Sequence, residues 1–377
     1  MRAAITLRVL ALLSFPLARV AAAQSAAPDP HALFLKNCAT CHGETGDGQG
    51  TTQLDRPARS FKDGGFSFGN TPETLFRTLS VGIPGTPMPA FEESLSVAER
   101  ECLAAYVITL GPPVEEVTSE ETILAVHERP AFVRGLLPAL VEGGERWPRG
   151  LLVGTPDGMT FEYRADDVRL LGVRQGAFVA RTDWSGRGGT PLEPLGKLVH
   201  VVEAGNPEPA FWLAADTSPV AVQAHLRSTC VAGRDARVAY DLVSGGRPLA
   251  SVEESPCAVS TAQGAGFARH FVLTGTGAGD PLWMRLFTAG EQDVAGSGAC
   301  TAEGTPAFWC VVRREGGVFE WIALRTVAPM DLHLLPVGGY AAWKPAKGER
   351  IELELTTLLL ASWSDDVERE LATSLLR

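Results

Sequence analysis

Cys38-Ala39-Thr40-Cys41-His42 is the stretch on which the reading of this chain turns. Two thiols three positions apart on a helical turn can both reach the vinyl groups of one porphyrin. The adjacent imidazole then falls under the iron as its proximal ligand. At this composition a C-x-x-C-H pattern is expected by chance roughly 0.002 times. Two other chemistries use paired cysteines. A thioredoxin-like redox pair would want a strand before it, and half a zinc site would want a further Cys or His pair nearby. Neither accompanies the motif. One covalently attached haem c is the cofactor it predicts, with Cys38 and Cys41 as attachment points and His42 as an axial ligand.

The residues on either side predict a small helical unit. Asp29 reads as an N-cap with Pro30 at the first helical position, opening a helix that carries Phe34, Leu35 and Cys38 on one apolar face. Gly43, Gly46, Gly48 and Gly50 break the chain into a loop directly after the attachment motif. A second helix begins at Thr71-Pro72, buries Leu75, Phe76 and Leu79, and stops at Gly82. A third opens on a Ser96-x-x-Glu99 capping box, carries Leu103, Tyr106, Val107 and Leu110, and ends at Gly111. Met88 lies between Pro87 and Pro89, and a rigid loop of that kind would limit reorganisation around an iron held by His and Met, a pairing that raises the haem potential. His42 is expected to donate its other ring N–H to a backbone carbonyl, with Pro57 as the candidate acceptor. Arg59 is a candidate partner for a haem propionate. Cys102, among apolar neighbours on the third helix, reads as an inert buried thiol.

Residues 31–111 resemble a class I cytochrome c domain, the small mono-haem fold of bacterial electron transport. Cys38-Ala39-Thr40-Cys41-His42-Gly43 followed by Gly46-Asp47-Gly48 is similar to its attachment loop. Gly85-Thr86-Pro87-Met88-Pro89-Ala90-Phe91 is similar to the loop that presents the distal ligand, and Arg56-Pro57-Ala58-Arg59-Ser60-Phe61 to the segment between the two. The resemblance implies Met88 as the sixth ligand. It covers about a fifth of the chain.

Before this unit, residues 1–23 read as a cleavable leader: Arg2 and Arg8 supply the positive start, Val9 to Ala18 the short apolar run, and Ala21-Ala22-Ala23 the small-residue exit. The run is too short to span a bilayer, and no later stretch approaches the ~20 apolar residues required. A periplasmic or secreted protein is expected. The whole chain has 377 residues and a net charge of −11 from 33 Lys+Arg against 44 Asp+Glu. That balance argues against nucleic-acid binding, which needs a basic footprint. The length leaves room for two or three domains.

After Pro112-Pro113 the acidic run Glu115, Glu116, Glu120, Glu121 and Glu128, with Ile123 and Leu124 among it, reads as a linker over 113–149 containing a short helix. This places the cytochrome unit at 24–112. From about Gly150 the hydrophobic period changes to two. Strand candidates are 151–153, 160–163, 168–171, 177–180, 198–202, 210–213, 220–226, 237–242, 267–273, 283–287, 307–312, 318–324 and 351–358. With a closing helix at 365–376, residues 150–377 are expected to form a large β-sandwich-like domain. The fold class is therefore multidomain, all-α followed by all-β. Segment 160–197 faintly resembles β regions beside cytochrome c domains in secreted bacterial dehydrogenase-like proteins, which would imply an association with oxidation chemistry.

Cys230, Cys257, Cys300 and Cys310 are an even set in a chain expected to be exported. Of three possible pairings, Cys230–Cys257 and Cys300–Cys310 close the smallest loops. His127, His200, His225, His270 and His333 are scattered and read as structural. Asp166-Asp167 reads as solvated acids at a strand–turn boundary. Gly186-Arg187-Gly188-Gly189-Thr190-Pro191 lacks the Lys and helix onset of a phosphate loop, although Trp184 and Arg187 beside it could line a recognition pocket. No ligand constellation for copper or a quinone is visible. The leading expectation is a carrier of one electron between redox partners, a dehydrogenase or terminal oxidase, with the β domain for docking or ligand binding and no catalytic residues. The alternatives are an oxidoreductase whose β domain oxidises a small substrate and feeds the haem, and a haem sensor or peroxidase-like protein in which the Met88 position opens.

Overall fold

The computed structural model describes residues 28–63, 66, 68–69, 71–112, 122–181, 191–202, 210–214, 219–277, 280–289, 293–302, 305–328, 330–335, 338–344 and 346–375. Local cap chemistry sets the helices. Asp29 accepts from the amides of His31 (3.0 Å) and Ala32 (3.3 Å), with Pro30 opening α1 (Pro30–Asn37). Cys38 ends α1 and leads into the single turn α2 (Ala39–His42). Thr71 caps α3 (Pro72–Val81), which stops at Gly82. Ser96 and Glu99 form a reciprocal capping box at the start of α4 (Val97–Thr109). The helices close around Phe34, Phe61, Leu75, Leu79, Leu103, Ala104 and Val107, all buried.

The rest of the chain is antiparallel sheet. Eight strands run edge to edge as Gln223–Ala232, Asp235–Ser244, Arg247–Ser260, Gly264–Gly275, Arg350–Leu360, Phe319–Thr326, Thr305–Arg313 and Val294–Ala302. A five-stranded sheet (Ala131–Leu137, Trp147–Gly154, Met159–Arg164, Arg169–Gln175, Lys197–Val201) and a second one (Pro219–Ala221, Phe211–Ala214, Leu282–Thr288, Gly338–Trp343, Asp331–Leu335) share one core with it. Leu151, Phe161 and Val173 come from the first, Leu213, Met284 and Trp343 from the second, and Val252, Phe271 and Leu353 from the large sheet. The alternation of side chains along each strand gives the large sheet a second apolar face of Trp309, Val311, Trp321 and Leu358. The closing helix α5 (Asp365–Leu375) covers that face with Leu371 and Val367. A ribbon of Ile123–Leu124, Val179–Ala180 and Glu193–Pro194 completes the sheets.

A small helical unit followed by a large all-β region is the expected fold class. Three details differ. Ile123–Leu124 is a strand paired with Val179–Ala180, and Ala131–Leu137 is already an edge of the first five-stranded sheet, so sheet begins well inside the span read as linker. Residues 113–121 and the leader at 1–23 lie outside the described residues, as do Trp184 and Arg187. The disulfides are the third. Cys38, Cys41, Cys102, Cys230, Cys257 and Cys310 are free thiols. Cys230 faces Arg237, and the whole strand Asp235–Ser244 separates it from the strand of Cys257. Cys300 sits opposite Ala307 and Cys310 opposite Ser297, three positions apart along the ladder. Both separations exceed the reach of an S–S bridge.

Candidate haem site

Helical spacing brings the motif together. The amide of Cys38 donates to the carbonyl of Phe34 (2.8 Å) and that of His42 to the carbonyl of Cys38 (2.9 Å), so Cys38, Cys41 and His42 stand at i, i+3 and i+4. The glycine loop then folds back beneath α2. The amide of Gly48 donates to His42 (2.7 Å), that of Gly50 to Cys41 (3.2 Å), and that of Phe61 to Gly46 (2.7 Å). This return carries residues 59–61 under the imidazole. Phe61 stacks on the His42 ring with centroids 4.5 Å apart. His42 Nδ1 lies 3.0 Å from the carbonyl oxygen of Arg59. A carbonyl only accepts, so Nδ1 carries the proton and Nε2 keeps its lone pair. Burial lowers the His42 pKa, with the Arg59 carbonyl opposing and the Arg59 charge adding to the effect, which favours the neutral ring.

The expected acceptor, Pro57, is two residues short of the one the structure places there. The hydrogen bond to Gly46 fixes Phe61, and Arg59 is then the residue whose carbonyl turns toward the ring. Cys102 donates its thiol to the carbonyl of Pro28 (3.4 Å) and is half-buried.

Met88 packs, half-buried, against the same apolar cluster, the group that contains Cys38, Phe61 and Leu79. Its loop is closed by hydrogen bonds from Ile83 N to Met88 O (3.1 Å), from Thr86 N to Ile83 O (3.1 Å) and from Met88 N to Thr86 Oγ1 (3.3 Å). At Gly82, φ is +68°, and a Cβ there would lie 2.7 Å from Met88 O, so the loop returns against bare backbone. Unpaired thiols at i and i+3, an imidazole with one nitrogen committed and one free, and a thioether on the shared apolar wall together fit a covalently held haem.

The site also meets the β region. Phe68, from the segment before α3, is buried in the core of the sheets, with the guanidinium of Arg149 4.7 Å from its ring centroid. Asp166 pairs with Arg77 of α3 (2.8 Å) and with Arg149 (3.0 Å). Asp167 pairs with Arg164 (2.6 Å) and Arg169 (3.1 Å). The adjacent acids read as solvated are thus held by arginines, one of them, Arg77, across the boundary of helix and sheet. A cleft of about 600 Å³ runs along this boundary, lined among others by Phe76, Arg77, Arg146, Trp147, Arg164 and Asp166. No sequence signal marked the pair of Asp166 with Arg77, because the two are 89 residues apart.

The scattered histidines are in structural settings where contacts define them. His200 pairs with Glu320 (2.7 Å), His270 with Glu354 (3.2 Å), and His333 stacks on Trp283. Among the described residues, no group of three or more His, Cys, Asp or Glu could hold a metal ion. No helix among them is long and apolar enough to cross a membrane.

Residues 25–107 match the family described as cytochrome c oxidase, cbb3-type, subunit III. The chain is 38% identical over 79 residues to the cbb3-type cytochrome c oxidase subunit FixP of Azorhizobium caulinodans, covering 21% of this chain and 25% of that one. It is 33% identical over 87 residues to the subunit CcoP of Azospirillum brasilense, covering 23% and 29%. The chain thus spans about a quarter of the length of the curated relatives it matches. Among solved structures, the reducing HAO-like protein complex of Kuenenia stuttgartiensis aligns with 27% identity and a TM-score of 0.20, over 22% of this chain and 41% of that one. The motif, the helices that carry it, the matching family and the two oxidase subunits coincide on one segment: the N-terminal part of this chain is a class I c-type cytochrome domain, and haem c is the cofactor that such a domain implies.

Proposed function

We propose that this protein is an exported mono-haem c-type cytochrome that carries one electron between redox partners, with the β region serving docking or ligand binding. The observation that carries the reading is the hydrogen bond from His42 Nδ1 to the Arg59 carbonyl, which leaves Nε2 as a neutral, oriented ligand. Cys38 and Cys41 would form the two thioether bonds, with His42 and Met88 as axial ligands and Arg59 beside a propionate. Bound haem would supply a one-electron iron couple, whose potential His/Met ligation raises.

The chain's own residues do the rest. The Arg59 carbonyl fixes the tautomer of His42 and raises its basicity, and Phe61 holds the ring plane. The closed loop from Ile83 to Met88 would hold the thioether toward the haem. Phe34, Leu75, Leu79 and Leu103 exclude water. Two protein ligands would leave no position for oxygen or peroxide, which favours a carrier over a sensor or peroxidase-like protein. The leader at 1–23 supports export to the periplasm or beyond. The relatives are named as subunits of a terminal oxidase, which supports an oxidase, or a dehydrogenase feeding one, as partner. The cytochrome would occupy 24–112 and the β domain would follow from Ala131.

The test is anaerobic visible spectroscopy of the purified, oxidised holoprotein, with haem counted against polypeptide. One haem per chain is expected, staying oxidised with sugars, alcohols and sulfur compounds until a dehydrogenase is added. Catalytic reduction by one of these compounds alone would make the β region an enzyme and end the carrier reading.

A further inference from the structure

The loop that presents Met88 is held from outside the cytochrome. Arg149 belongs to the strand Trp147–Gly154 of the first five-stranded sheet, and its side chain is 6% exposed. Its Nη1 donates to the carbonyl of Gly82 (3.3 Å) and lies 3.0 Å from Asp166 Oδ1, while its guanidinium covers Phe68. Gly82 ends α3 and immediately precedes Ile83, whose amide closes the loop on Met88 O. The last turn of α3 has no basic residue of its own. Its free carbonyls carry the negative end of the helix dipole, and Arg149 supplies the missing cation from the β region. Asp166 completes the clamp by holding Arg77 on the same helix through Oδ2 (2.8 Å).

From this geometry we infer that Arg149 is a positioning residue for the distal side of the haem: the β region, through Arg149, sets how firmly Met88 is presented. The inference rests on the proposed ligation of iron by Met88. A helix end fixed by a buried, charged donor cannot swing the following loop outward without breaking that bond. Loss of Arg149 frees Gly82 and with it the hinge of the loop. The consequence is a weaker thioether bond and a lower reduction potential, although Arg149 touches neither haem ligand.

Imidazole binding to the ferric holoprotein tests this, followed by loss of the thioether-to-iron charge-transfer band. The wild type must show that band and Met88→Ala must lack it. A wild type without it overturns the Met88 ligation, which is a separate failure. With the band present, Arg149→Gln should bind imidazole about tenfold more tightly than the wild type, as expected for losing one buried, charge-assisted hydrogen bond. Its potential should fall. Arg149→Lys keeps a cation beside Asp166 but lacks the forked reach, and should fall between the two. Arg146→Gln, which removes only the exposed boundary pair with Glu73, should match the wild type. Equal imidazole affinity in folded Arg149→Gln and wild type overturns the inference. If that variant does not fold, Arg149→Lys decides, and an affinity and potential identical to the wild type overturn it.

Discussion

Gly82 and Gly85 stand at the two ends of the same short turn and separate steric closure from backbone strain. Both have positive φ, +68° and +74°. At Gly82 an added Cβ would meet three backbone atoms, Met88 O at 2.7 Å, the Pro89 carbonyl carbon at 2.7 Å and Ala90 N at 2.8 Å. At Gly85 it would meet nothing within 4 Å. Gly85→Ala therefore pays only the left-handed strain, about 1–2 kcal/mol. At Gly82, where ψ is −159°, the conformation is one that glycine alone adopts easily, costing about 1–3 kcal/mol for another residue. Overlap with the backbone adds about 1–3 kcal/mol. The cheapest relief moves Met88–Ala90 away from α3, which withdraws the thioether. Urea unfolding of the two holoproteins, read with the thioether charge-transfer band, measures both effects. Gly82→Ala should be the less stable by about 1–3 kcal/mol and should lose the band, while Gly85→Ala keeps it. Equal stabilities, or the band surviving in both, would refute the close return of the loop.

Glu254 is fully buried and accepts from Tyr163 Oη (2.7 Å), Tyr240 Oη (3.1 Å) and Arg269 Nε (2.7 Å). Glu254→Ala strands that arginine and should cost about 3–5 kcal/mol in urea unfolding, whereas Glu254→Gln, which keeps an acceptor, should cost less. Burial alone would raise the Glu320 pKa, but the hydrogen bond and charge of His200 and the charge of Arg314 outweigh it and hold it below the usual value. Its ionised form thus stabilises the fold at neutral pH, and that contribution disappears as pH falls through the folded pKa. The gap in Tm between wild type and Glu320→Gln should close in the same acid range, and a gap constant with pH would contradict this. Cys257 is pushed up to about 11 by burial and by the carboxylates of Glu354 and Asp157, and Cys310 to about 11 by burial against the opposing Arg314. Mass-mapped alkylation near pH 8 should therefore label exposed Cys230 well before either, with no mass change on reduction at these sites.

What could be read from the amino-acid order follows the range of the forces. Asp29, Thr71 and Ser96 act on amides two or three residues away, so the helix starts were legible. Strands such as Met159–Arg164 were legible by alternation. Arg247–Ser260 was not, since Glu253, Glu254 and Pro256 interrupt its pattern. Glu254 is buried only because Tyr163 and Arg269 arrive from other strands. Pro256 is tolerated two residues beyond the last pair that joins this strand to Asp235–Ser244, where no ladder bond needs its missing N–H. Val294–Ala302 is made of small residues and announces nothing. At the site, the attachment motif and the methionine loop were legible as local chemistry. The carbonyl under His42 was misplaced by two residues because the path of the return loop depends on the Gly46–Phe61 bond. The clamp of Arg149, Asp166 and Arg77 is tertiary throughout. Loop length, on which the disulfide expectation relied, carries no information about which strands become neighbours.

The three donors on Glu254 have a further consequence. Aliphatic faces of two sheets attract one another in almost any relative offset, because dispersion has no direction. A carboxylate that needs Tyr163 from one sheet and Tyr240 and Arg269 from the other is satisfied in a single offset. Tyr163 shares its short strand with Arg164, which lines the boundary cleft, and the next strand over supplies Arg149. The bolt at the centre of the β region therefore also indexes the surface that grips the cytochrome: a sheet that slipped by one step would carry its arginines away from α3.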